Sequence, residues 1–142
     1  MYPVVLFIHS WLRWLLLVAA LYAALRALWA VLRKRPWQTP DALAQRVLVE
    51  LANLQFTLGL LLYVWLSPIV RSAFANFGLA MRSAPLRFFA VEHITAMVLA
   101  VGVLHIGKAR ARKAPSDAKR QRAALLGSAG FLLLAMVGIP WP

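Results

Sequence analysis

Four long apolar runs alternate with short polar connections along this chain: Val4 to Leu25, Val47 to Leu66, Phe88 to Ile106 and Ala123 to Ile139. Each approaches the roughly 20 residues that carry an α-helix across a bilayer. With their helical flanks they predict spans of about 4–32, 42–66, 87–107 and 123–139. Short connections make successive helices antiparallel. The expected fold is therefore an all-α integral membrane protein, a single four-transmembrane-helix up-and-down bundle over residues 1–142. In the first run His9, Arg13, Ala20, Ala24 and Ala27 fall on one face at helical spacing. Small residues let membrane helices approach closely, so that face is expected to point into the bundle.

The connections carry their own signals. Arg35 to Asp41 is rich in turn formers, with Asp41 at or near the cap of the second helix, and Ser67-Pro68 ends that helix. The segment from Ile69 to Leu86 mixes Phe74, Phe77, Leu79 and Met81 with Arg71 and Arg82, which suits a stretch lying in an interface. Gly107 to Arg122 reads as a solvated basic loop. The fourth run holds Gly127, Ser128, Gly130 and Gly138 and no ionisable group, so it is expected to serve as a packing helix.

Composition supports the membrane reading, because 63% hydrophobic residues exceeds the roughly 45 to 50% of a soluble domain. The net charge of +12 is sorted by connection. Arg33, Lys34, Arg35 and Arg46 follow the first run, and Lys108, Arg110, Arg112, Lys113, Lys119, Arg120 and Arg122 follow the third, while the middle connection has only Arg71, Arg82 and Arg87. The positive-inside bias then places the first and third connections in the cytoplasm and both termini outside (N-out/C-out). Anionic lipid headgroups, rather than nucleic acid, are the expected partners of these loops. The absence of cysteine excludes disulfides, thiolate metal sites, iron–sulfur clusters and haem attached through Cys. The first run lacks a basic leader and is too long for a signal peptide, so it is expected to remain as a helix.

The ionisable residues within the runs are few, and such groups in hydrocarbon count as functional candidates. Glu92, His93 and His105 lie in the third run, His9 and Arg13 in the first, and Glu50 with Asn53 and Thr57 form a stripe in the second. Counted from Val4 and Phe88, His9 and His93 lie at one depth, about 7 to 8 Å inside. Their helices run parallel and would stand diagonally in the bundle. Two imidazoles at one level on opposed helices suit the axial ligands of a haem iron, with Arg13 and Arg87 available to balance propionate charge. His105 lies about 18 Å along the helix from His93, too far to share that iron. Glu50 and His105 are expected to meet near the cytoplasmic edge as a hydrogen-bonded pair. Other readings stay open. The histidines could be satisfied structural residues with Glu92 paired to Arg13 or Arg87, or a quinone could sit on His9 or His93 against Trp11 or Trp14. Glu50, Glu92 and His105 could form a proton relay. No nucleophile and base combination stands out, since Ser10 points about 100° from His9 around the helix and Ser128 has no evident partner, so a hydrolase is not expected.

Several segments resemble a family of small four-helix bacterial membrane proteins often labelled cytochrome b. They are His9-Ser10-Trp11-Leu12-Arg13-Trp14, Gln55 with Leu58-Gly59-Leu60 and Tyr63, Arg87-Phe88-Phe89-Ala90-Val91-Glu92-His93, and Ile139-Pro140-Trp141. The resemblance covers nearly the whole chain. It implies a b-type haem protein of the bacterial cytoplasmic (inner) membrane, multi-pass and active in electron transfer, with His9 and His93 in the ligand positions. Quinol or another redox partner, and a homo-oligomer or larger membrane complex, are the partners that go with it. The rivals are a non-enzymatic structural or assembly subunit and a small proton-relay or transport protein.

Overall fold

The computed structural model describes residues 1–141. Among them the chain forms α1 (Tyr2–Leu32), α2 (Thr39–Leu61), α3 (Pro68–Ala75), α4 (Phe77–Ala80), α5 (Ala84–Arg87), α6 (His93–Lys113) and α7 (Asp117–Gly138), with no strand. A π-helical turn, Leu62–Leu66, prolongs α2, and a second, Phe88–Glu92, joins α5 to α6. Four continuous helical segments among the described residues are therefore long and apolar enough to cross a membrane: Tyr2–Leu32, Thr39–Leu66, Ala84–Lys113 and Asp117–Gly138.

Around the bundle the order is α1, α2, α6, α7, with α6 against α7 the closest pair and α2 against α6 the slackest. The helices of His9 and His93 thus stand across the bundle from each other, as their parallel direction implied. The alanine face of α1 does turn inward: Ala20, Ala23, Ala24, Ala27 and Ala30 are all buried. Around Ala20 and Ala23 pack Leu48, Val49 and Ala52 of α2, Ala100 and Leu104 of α6, and Phe131 and Ala135 of α7. The α6–α7 contact depends on glycine, since a Cβ on Gly107 would stand 2.5 Å from Gly127 Cα.

One connection differs from its sequence expectation, and another gains a helical form that the sequence reading left unspecified. The solvated loop expected over 107–122 shrinks to residues 114–116, because α6 continues to Lys113 and α7 starts at Asp117. Basic side chains at Arg110, Arg112 and Lys113 suit the negative end of the α6 dipole. The Ser116 hydroxyl accepts from Lys119 N–H at 3.3 Å and caps α7. The stretch expected in an interface is three short helices, two of them capped by Ser67 and Asn76. Val70, Ala73 and Ala80 are buried, and Ala73 and Ala80 cluster with Ala90 of the second π turn.

At the end of α1, Lys34 adopts a left-handed conformation (φ 50°). Arg35 N–H donates to Ala30 C=O at 2.9 Å and Lys34 N–H to Val31 C=O at 3.2 Å, the pattern of a Schellman turn, in which glycine usually takes the left-handed place. This turn sends Arg35 back toward the start of α2.

Candidate functional site

At the end of the bundle where α1 and α6 begin, side chains from all four long segments surround a cavity of about 250 Å³. A single buried water needs roughly 10 to 15 Å³, so this space suits an organic ligand rather than a bridging solvent molecule. Most of the lining is apolar, with Leu16, Phe56, Met97 and Phe131 among it, and its polar residues include His9, Arg13, Gln55 and His93. The two histidines predicted to share a depth therefore do share one cavity.

Their environments differ. His93 Nδ1–H donates to the Gly138 carbonyl at 2.6 Å. A carbonyl only accepts, so the proton is fixed on Nδ1 and Nε2 keeps its lone pair, the arrangement by which proteins orient metal-bound imidazoles. A Cβ at Gly138 would meet Met97 and Ala96, which shows how closely α7 approaches α6 there. His9 leans instead on α2. The Gln55 amide donates to the His9 carbonyl oxygen at 2.9 Å, with its nitrogen 3.4 Å from His9 Nε2. Gly59 leaves room for the ring, since a Cβ there would lie 3.2 Å from His9 Cε1. His9 Nδ1 is buried and has no hydrogen-bond partner among the described residues.

Both π turns border this cavity, and the Tyr63 hydroxyl of one donates to the Ala90 carbonyl of the other at 2.7 Å. Turns of this kind recur at functional sites. The second also decides between the two partners left open for Glu92, in favour of Arg87. In an α-helix residues four apart align, but a widened turn brings positions five apart together, and Arg87 Nε meets Glu92 Oε1 at 2.7 Å. Arg87 also donates to the Met81 carbonyl at 3.1 Å and is not among the cavity residues. Arg87 is thus engaged by Glu92, and of the two arginines expected near a cofactor only Arg13 faces the cavity.

The Glu50–His105 pair is not formed. His105 Nε2–H donates to Asn53 Oδ1 at 2.9 Å, and Glu50 is exposed. Of the polar stripe of α2, Glu50 and Thr57 are exposed, whereas Ala52, Gln55 and Gly59 line the cavity. Small residues flanking Gln55 carried the signal for that face, by the rule that located the inner face of α1. Glu50, Glu92 and His105 are not brought together.

A second polar cluster, at the opposite end, was only partly visible in the sequence. Asp41 is 4% exposed and accepts four hydrogen bonds. Arg26 Nε and Arg35 Nη2 each reach Oδ1 at 2.7 Å, while Gln38 N–H and Gln121 Nε2 each reach Oδ2 at 2.9 Å. Asp41 sits at the third helical position and closes a capping box with Gln38, near the cap as expected. The chain so ties α1, α2 and α7 at one carboxylate.

No protein-family model, curated protein or solved structure matches the chain, so the geometry of the cavity carries the functional assignment.

Proposed function

We propose that this chain is a multi-pass protein of the bacterial cytoplasmic membrane, with both termini outside, that holds one b-type haem between His9 and His93 and carries electrons. The observation that carries the reading is the convergence of these two imidazoles, from helices across the bundle, on a single mainly apolar cavity. At His93 the donor set fits, because Gly138 holds the Nδ1 proton and leaves Nε2 free; at His9 the lone pair is on Nε2, which faces the Gln55 amide at 3.4 Å and would exchange that contact for the iron. When bound, a haem of this kind supplies reversible one-electron chemistry at its iron. The apolar wall of Leu16, Phe56, Met97 and Phe131 excludes water from the ligand's faces. The Gly138 carbonyl orients the His93 ring, and the Gln55 amide, bonded to the His9 carbonyl, stands beside the His9 ring at 3.4 Å from Nε2. The family resemblance in the His9 and His93 segments supports the same reading. The cationic connections would face the cytoplasm against anionic headgroups, and quinol in the bilayer is the proposed electron donor.

An absorption spectrum of protein purified from haem-replete cells tests this. The parent should show a Soret band and a reduced α-band, and His93→Ala and His9→Ala should each lose low-spin six-coordinate character. A colourless, folded parent overturns the haem reading and leaves a structural or assembly subunit, which the Gln55–His9 and His105–Asn53 contacts between helices favour.

A further inference from the structure

Among the described residues, no acidic side chain answers the charge of Arg13. This residue lines the cavity one turn along α1 from His9, and its Nε is buried without a hydrogen-bond partner among the described residues. Its guanidinium lies 5.1 Å from the centroid of the Trp14 ring. A ring face attracts the cation but accepts none of its in-plane N–H bonds. The chain has four acidic residues against sixteen Lys and Arg, and each acid is placed elsewhere. Asp41 is held by Arg26 and Arg35, Glu92 by Arg87, Asp117 opens α7 at the far end, and Glu50 is exposed on α2. The cavity thus gathers Arg13, His9 and His93 with no Asp or Glu among its lining residues.

We infer that Arg13 is an anion-binding residue and that the cavity takes an amphiphile with an oxyanion at one end, carboxylate or phosphate, and an apolar body. A cation kept in an apolar site is costly unless paired and hydrogen-bonded, and a guanidinium offers a planar fork matched to an oxyanion. Ser10 and Gln55, which also line the space, add polar groups near the same helix turn, while Leu16, Phe56, Met97 and Phe131 surround the rest. Of the neighbouring long helices around the bundle, α2 and α6 pack most loosely. These helices are joined by Tyr63 to Ala90 at one level and Asn53 to His105 at another, and pack sparsely overall. The inference deepens the haem reading, in which the oxyanion is a propionate, but it does not need haem, because an anionic lipid offers the same chemistry through its phosphate.

The two sources separate experimentally. Apoprotein in nanodiscs of neutral phosphatidylcholine is titrated with haem b and with its dimethyl ester, which keeps the macrocycle and removes both carboxylates. The parent should bind haem b about tenfold or more tightly than the ester, Arg13→Met should bind both alike, and Arg13→Lys should keep part of the preference. Because the ester comparison is made on the parent, it does not depend on a variant folding. If the parent binds both with equal affinity while showing a normal Soret band, the haem reading stands and this inference fails. If the parent takes up no haem, native mass spectrometry of protein from phosphatidylglycerol-containing membranes decides. Phosphatidylglycerol retained by the parent and lost from Arg13→Met supports the inference with a lipid as the anion, and no such difference overturns it.

Discussion

The two ends of this bundle each bury polar side chains, and they do so in opposite ways. At the end where α2 and α7 begin, every oxygen of Asp41 is engaged by groups of the protein, and two arginines share one carboxylate. At the other end Arg13 Nε, His9 Nδ1 and Gln55 Oε1 are buried without partners among the described residues, around a cavity. Both ends leave some buried atoms without partners among the described residues, Arg35 Nε, Arg120 Nε and Gln121 Oε1 near Asp41 included, but only one end answers its arginines with a carboxylate and only the other encloses a cavity. The first is a fastener. The second has the donors, the acceptors and the space of a ligand site.

The contrast is breakable. Its largest expected effect is at Asp41: Asp41→Ala leaves Arg26, Arg35 and Gln121 without their acceptor and should destabilise the fold by about 3 kcal/mol, as removal of one partner from a buried pair does. Loss of helical signal on heating or in denaturing detergent measures this. A variant that melts with the parent would mean that the cluster fastens nothing. Next comes Gly107→Ala, whose methyl would press on Gly127 Cα. Overpacking of this kind should cost about 1 to 3 kcal/mol in the same assay, whereas at Gly130 a methyl would meet the side chain of Val103, which can move more cheaply.

At the cavity end the expected stability effects are smaller and the effects on a ligand larger. Tyr63→Phe removes the hydrogen bond between the two π turns and should cost about 1 kcal/mol, with weaker retention of whatever the cavity binds. A ligand held as firmly as in the parent would show that the π turns do not depend on this bond. Smallest is Lys34→Gly. Relief of the left-handed residue at the Schellman turn should raise the melting temperature slightly, by an amount worth about 0.5 to 1 kcal/mol. A lower melting temperature would mean that the Lys34 side chain contributes more than its backbone costs.

Periodicity and hydropathy made the four helices legible, along with the inward alanine face of α1 and the meeting of His9 and His93 at one cavity. Each is a property of one helix or of counting along it. Hydropathy defines a segment, helical spacing defines its faces, and rise per residue defines depth. Which face of α2 turns inward was less plain, because two faces competed: a polar stripe at Glu50, Asn53 and Thr57, and small residues around Gln55. Close packing decided for the small ones, since only Ala52 and Gly59 let α1 and the His9 ring approach.

Only tertiary structure decided which polar groups met. Gln121 and Asp41 are joined across 80 positions of sequence, and His105 found Asn53 in place of Glu50 because the rotation of α2 carried Glu50 to the outer surface. Arg87 was drawn to Glu92 by a π turn that shifts side-chain alignment from four residues to five. A sequence sets the chemistry of a helix face to within a turn, but a hydrogen bond requires partners within about 3 Å, and that accuracy comes from how the helices rotate and slide against one another as they pack.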